Sequence, residues 1–200
     1  IRFAGLDQIF ITSVKTNKNK DIIGKNLIEL GEIRGKDPYN ATFDLIYEEE
    51  NSVGMVDFYG LEEHIIKILN RPEQNVCTDG MISDNPHPRL YGSFPKVLGK
   101  YVREEKVLSL EEAIYKMTKK PAETFKLKNR GEIKEENYAD IVIFDLKKIK
   151  DKGTFVEPKQ YPEGIDYVII NGNIVLEKGK YNRIMAGKVL EGCIDGDCNN

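Results

Sequence analysis

Two hydrophobic periods divide this sequence. Up to about Arg130, short apolar runs alternate with segments whose apolar residues recur at helical spacing; beyond it, the runs are short and strand-like. This division is the strongest constraint on the fold, because side chains share a face every 3.6 residues on a helix and every second residue on a strand. Residues 10–14 form an apolar run of buried-strand length. Residues 26–34 carry Leu27, Leu30 and Ile33 at helical spacing, with Gly35 placed to end the helix. Asp37-Pro38 pairs an N-cap acid with a proline preset for the first helical position, and predicts a helix to about Glu50 bearing Ala41, Leu45 and Ile46. Residues 53–59 read as a strand and residues 61–70 as a helix with Leu61, Ile65, Ile68 and Leu69 on one side. Pro72 ends that helix, and residues 75–78 read as a further short strand. Strands alternating with helices favour a parallel sheet in an α/β architecture.

Residues 80–95 form a long connection rich in Pro, Gly, Asn and aromatics, of a length that compact domains reserve for functional loops. A helix is expected over 97–104. Ser109 and Glu112 have capping-box spacing ahead of the apolar stripe Leu110, Ala113, Ile114 and Met117, and Pro121 follows that helix. Residues 139–145 are a continuous apolar strand. Residues 167–170 and 174–176 flank Asn171-Gly172, a pair that tolerates the positive φ of a tight hairpin turn. The sequence has no internal repeat.

Composition limits the function classes. Of the 200 residues, 40% are hydrophobic and 32% charged, a globular profile in which ten Tyr and eight Phe supply aromatic mass despite the lack of Trp. The net charge of −3 and the mixing of signs leave no footprint for nucleic acid, and residues 15–20 suit a solvated loop. No apolar run is long enough to cross a bilayer, residues 1–6 do not make a signal peptide, and a reducing cytoplasm is the default compartment. The absence of an initial Met suggests that residues precede Ile1. Three cysteines cannot all pair; Cys193 and Cys198 could close a small loop but read as part of a tail.

The sharpest chemical feature is Asp79, at the end of a short apolar segment and followed by Gly80. Acids at the carboxyl ends of strands in parallel α/β folds face the pocket, although an acid there can also cap a turn. His87, Pro88 and Arg89 follow in the long connection. Arg89 carries a planar fork of donors that matches a carboxylate, or it can pair locally with an acid such as Asp84. Pro86 and Pro88 stiffen the backbone around His87. His64 reads as an ordinary helix-surface histidine, and Cys77 as a small buried apolar residue. There is no Gly-rich phosphate loop, nucleophile elbow or His-Glu-x-x-His motif.

Cys77-Thr78-Asp79-Gly80 and the run His87-Pro88-Arg89-Leu90-Tyr91-Gly92-Ser93-Phe94-Pro95 resemble the last-strand segment of D-aminoacylases, the N-acyl-D-amino-acid deacylases of the amidohydrolase superfamily. The resemblance continues through Tyr101-Val102-Arg103-Glu104, residues 108–114, Pro121-Ala122-Glu123, Arg130-Gly131-Glu132-Ile133 and Ala139-Asp140-Ile141-Val142, and is dense over 76–190. It implies an α/β fold: residues 1–130 as the C-terminal part of a TIM-type (β/α)8 barrel, 131–190 as the C-terminal half of a small β-sandwich, and 191–200 as a tail. It also implies zinc-dependent hydrolysis of the amide bond of N-acyl-D-amino acids to a carboxylate and a free D-amino acid. Asp79 would be the acid at the end of the eighth strand, touching the metal or its water, taking a proton during attack and returning it to the leaving amine. Arg89 would hold the substrate α-carboxylate, with His87 on the same wall.

The departures are equally specific. The family's metal site needs a His-x-His and further histidines, whereas this chain has only His64 and His87. A catalytic zinc takes three protein ligands, so this chain alone is expected to be inactive and unable to retain the metal. Glu136 stands where the family pattern has glycine. Alternative readings are a dihydroorotase-like or cyclic-amidase activity, a binding domain for carboxylated ligands, and a non-catalytic truncated product that self-associates through incomplete barrel edges.

Overall fold

The computed structural model of the protein describes residues 4–82, 86–155 and 157–192, so Asp84, Cys193 and Cys198 lie outside the described residues. The chain forms two compact units, Ile1–Ile65 with Ile82–His87, and Ile66–Met81 with Pro88–Asn200.

In the first unit, strand β1 (Ile9–Ser13) buries Ile9 and Ile11, two residues apart, against Leu27, Leu30, Ala41 and Leu45. Each of these Ile and Leu side chains contributes about 1.5–3 kcal/mol when fully buried. Helix α1 (Leu27–Arg34) opens with a capping box: the Glu29 amide donates to the Asn26 side chain, and the Asn26 amide donates to the Glu29 carboxylate, both at 2.9 Å. It ends at Gly35 with φ 61°. Helix α2 (Pro38–Glu48) begins as its sequence requires, with Asp37 accepting from the amides of Tyr39 and Asn40. The inner face of α1 differs from expectation. Ile33 is exposed and Gly31 is buried, because the bare Gly31 face admits Pro38 so closely that a Cβ would lie 3.0 Å from its ring.

Strand β2 (Gly54–Asp57) pairs with β1 antiparallel, Ile9 opposite Asp57 and Ile11 opposite Met55, and so corrects the parallel pairing expected from the alternation. The reason lies in the connection. Helices α1 and α2 pack against each other across a short link, and two helices in hairpin return the chain reversed, where a single crossover helix would not. The polar run after β1 is also more than a solvated loop. Residues Asn17–Ile22 form a 3-10 segment whose Asn19 is buried on Glu49. Glu49 accepts from the Thr16 hydroxyl at 2.6 Å, the Thr16 amide at 2.7 Å and the Asn19 amide group at 2.6 Å. The Thr16 hydroxyl above all, with Asn19, holds the Glu49 carboxyl at a pKa of about 2 despite burial.

Helix α3 (Glu62–Leu69) places Leu69 and Ile66 in the core of the second unit, whereas Leu61, Ile65 and Ile68 are exposed. The strand expected over 75–78 is absent from the described structure. That segment has no regular secondary structure, and its Val76 amide donates to the Lys116 carbonyl of a helix at 3.0 Å instead of to a strand. The long connection expected over 80–95 is also shorter than its composition suggested, because helix α4 (Arg89–Lys96) begins within it and continues as a π-helical segment, Val97–Glu104. Pro95 removes one backbone donor inside this helix, and the widened turns follow it directly. Tertiary packing outweighs the poor local propensity of Gly92 and Pro95: Val97, Leu98, Tyr101 and Val102 enter the core. Gly99 lets the Ile149 carbonyl approach to 2.7 Å of where a Cβ would sit, and Arg103 Nη1 donates to the carbonyls of Leu146 and Ile149 at 3.0 and 2.6 Å.

Helix α5 (Leu110–Met117) starts with the expected Ser109–Glu112 capping box and buries Ala113, with Leu110, Ile114 and Met117 half-buried around the same core. Helix α6 (Lys119–Thr124) follows. The antiparallel strands expected after Arg130 are β3 (Ile141–Phe144), β4 (Ile165–Ile170), β5 (Asn173–Glu177) and β6 (Lys180–Tyr181), in that spatial order. The β4–β5 turn is Asn171-Gly172 with φ 47° and 79°. Arg130, 9% exposed at its side chain, ties this turn to the start of β3: Nη2 donates to Asn171 Oδ1 at 2.8 Å, Nη1 pairs with Asp140, and the guanidinium lies 4.1 Å over the Tyr138 ring. Glu136 has φ 70°, the backbone geometry that favours the glycine expected there.

Candidate functional site

The segment carrying Asp79 is held at two places. Upstream, Lys116 Nζ donates to the Arg71 carbonyl at 2.5 Å and the Gln74 carbonyl at 3.5 Å, Val76 is buried, and Asn75 Nδ2 donates to Thr124 Oγ1 at 3.1 Å. Burial is the main cause of a lowered Lys116 pKa, with Lys120 adding to it. Sequence reading missed this lysine, whose only signal was a cation in the last turn of α5. Downstream, Gly80 lies against the first turn of α4, where an added Cβ would fall 2.9 Å from Leu90 Cα and 2.6 Å from its Cδ1. The Gly80 amide donates to Thr78 Oγ1 at 3.3 Å.

Between these anchors the backbone turns through Asp79 at φ 44°. Its side chain is 76% exposed, and Arg89 Nη2 meets Oδ2 at 2.6 Å. Arg89 Nε donates to the Asp79 backbone carbonyl at 2.8 Å, so one guanidinium touches both the main chain and the carboxylate of the same residue. Of the residues singled out from sequence, Asp79 and Arg89 are therefore brought together in the second unit. His87 is exposed and belongs to the first unit. Cys77 is exposed, which corrects the expectation of a buried apolar residue: the adjacent Val76 takes the buried position in this segment. His64 is on the surface of α3, 3.6 Å from Glu63, as expected.

Chemically the pair offers a carboxylate that can accept a proton and a cation that can meet an anion. No group of three or more His, Cys, Asp or Glu able to hold a metal ion occurs among the described residues, and the Asp79 carboxylate is already engaged by Arg89. The donor set does not fit a zinc ion held by this chain alone. A cavity of about 360 Å³ in the second unit lies between α4, α5 and the β3–β4 face, lined by Tyr91, Phe94, Leu98, Met117, Val142 and Phe144 among others. None of its lining residues is charged, and Tyr91 and Thr118 supply its side-chain hydroxyls. No helix among the described residues is long and apolar enough to cross a membrane.

Residues 76–176 match the profile of the amidohydrolase family, a span that contains Asp79, Arg89, β3, β4 and all but the last residue of β5. The chain is 34% identical over 171 residues to a D-aminoacylase of Alcaligenes xylosoxydans xylosoxydans, covering 85% of this chain and 34% of that protein. It superposes on a D-aminoacylase structure described by its binuclear metal centre with a TM-score of 0.85 and 34% identity, covering 94% of this chain and 38% of the other. It superposes on an N-acyl-D-glutamate deacylase from Bordetella bronchiseptica, solved with zinc and a phosphonate inhibitor, with a TM-score of 0.79 and 31% identity, covering 93% and 39%. The chain thus spans roughly a third to two-fifths of the length of these relatives.

Proposed function

The chain belongs to the amidohydrolase family, and we propose that it is the C-terminal part of a zinc-dependent deacylase that hydrolyses N-acyl-D-amino acids to a carboxylate and a free D-amino acid. The observation that carries this reading is an exposed carboxylate, Asp79, paired with a guanidinium, Arg89, inside the span that matches the family. In this reading Asp79 accepts the proton of the attacking water as the new C–O bond forms. It then delivers that proton to the amine nitrogen as the C–N bond breaks. Arg89 offers its charge to the substrate α-carboxylate.

Residues 1–130 correspond in this proposal to the last part of a TIM-type barrel and 131–190 to half of a β-sandwich. Zinc would be held chiefly by histidines supplied from outside this chain, with Asp79 as the contribution made here. The Alcaligenes D-aminoacylase and the Bordetella deacylase support the choice of an N-acyl-D-amino acid over a cyclic amide. The test is release of free D-amino acid from N-acetyl-D-methionine and N-acetyl-D-glutamate, with zinc, by the full-length polypeptide and by the 200-residue chain. Turnover by the full-length protein, reduced about 1,000-fold or more by Asp79→Asn, together with an inactive 200-residue chain, supports the proposal. Full activity of Asp79→Asn refutes the assigned role.

A second reading, association through uncovered surfaces, is favoured by the exposure of Phe43, Tyr47 and Met55 in the first unit. A strictly monomeric chain by light scattering at high concentration would exclude it.

A further inference from the structure

We infer that Arg89 is a positioning residue for Asp79, setting the direction in which its carboxylate points, in addition to any contact it makes with substrate. The inference rests on the reading of Asp79 as the carboxylate that handles the proton. Three features of the structure carry it. The two contacts come from adjacent nitrogens of one rigid plane, Nε to the Asp79 carbonyl at 2.8 Å and Nη2 to Oδ2 at 2.6 Å. Fixing main chain and side chain of one residue from the same plane restricts rotation about the Cα–Cβ bond, which a single ion contact does not do.

The second feature is the backbone. Asp79 has φ 44°, a region that residues with a Cβ rarely occupy, so its conformation depends on outside contacts, and the Nε bond is made to its carbonyl. The third is the seat. Gly80 has no side chain and so lets the turn lie on Leu90, the residue after Arg89; the guanidinium therefore projects from the same helical turn on which the Asp79 backbone rests. Arg89 is held in that turn, its carbonyl accepting from Ser93 Oγ at 2.8 Å. With Asp79 76% and Arg89 42% exposed, the pair adds little to stability, which leaves orientation as its contribution.

Arg89→Lys separates the roles. Lysine keeps the positive charge for a substrate carboxylate but is a point donor that cannot grip carbonyl and carboxylate together. In the full-length enzyme with zinc, the expected result is a fall in kcat of about 10- to 100-fold with KM changed by no more than about threefold. In the 200-residue chain, the three-bond couplings of the Asp79 Hβ protons should report one rotamer for the native protein and an average for Arg89→Lys, with the remaining amide spectrum unchanged. An unchanged kcat with a raised KM, or a single Asp79 rotamer in both proteins, overturns the inference. The Asp79→Asn assay keeps the two failures apart. Its retained activity would count against the proton-handling role, whereas the rotamer measurement judges the positioning by itself.

Discussion

Removing the guanidinium of Arg130 should be the most damaging single truncation of a charged side chain in the second unit. Its Nη2 bond to Asn171 at 2.8 Å is charge-assisted and worth about 1.5–3 kcal/mol. Its position over Tyr138, 4.1 Å from the ring centroid, adds about 0.5–1 kcal/mol. Asp140 is 35% exposed, so the carboxylate left behind is partly rehydrated, and losing the pair costs about 1 kcal/mol. Arg130→Ala is therefore expected to lose about 3–5 kcal/mol, which for a chain of this size lowers Tm by roughly 10 °C. Arg130→Lys keeps the charge facing Asp140 but neither the Asn171 bond nor the planar stacking, and should lose about half as much. Urea unfolding is measurable by circular dichroism and by tyrosine fluorescence, since the chain has ten Tyr and no Trp. A loss below about 1 kcal/mol for Arg130→Ala would refute the reasoning, as would additivity of Arg130→Ala and Asp140→Asn in a double-mutant cycle, because groups that share one network must couple.

Two further tests concern single residues. Glu49 ionises with a pKa of about 2 against an ordinary 4.5, so the folded state favours its charged form; the stability it contributes is complete above about pH 4.5 and disappears as pH falls toward 2. The difference in urea midpoint between the native protein and Glu49→Gln should therefore shrink across that window, and a constant difference would contradict the assignment. Glu136→Gly relieves a residue held at φ 70°, gaining about 1–2 kcal/mol of backbone strain against about 0.4–1 kcal/mol of added unfolded-state entropy. A net stabilisation of about 0.5–1 kcal/mol is expected, and a lowered Tm would count against it.

Local chemistry alone determined the parts of this protein that depend on neighbours in sequence. The capping box at Ser109 and Glu112, the Asp37-Pro38 helix start, the Gly35 stop and the Asn171-Gly172 hairpin all stand as read, because each is closed by hydrogen bonds or φ values within a few residues. So does the resemblance to an amidohydrolase, which rests on short runs of residues. Tertiary structure alone decided what depends on distant partners. The α1–α2 hairpin reversed β2 into an antiparallel pair, although each strand was legible by itself. Packing of Leu98 and Tyr101, together with the close approach that Gly99 allows, extended the helix expected over 97–104 back through residues 89–96, which Gly92 and Pro95 disfavour. Lys116 and Glu49, which sequence reading did not single out, are buried, because backbone carbonyls of residues 71 and 74 and side chains of residues 16 and 19 reach them across the fold. The same holds for the site. Sequence supplied a carboxylate and a guanidinium ten positions apart, and only the turn of Gly80 onto Leu90 set them face to face, since the direction of a side chain is fixed by what packs beneath its backbone.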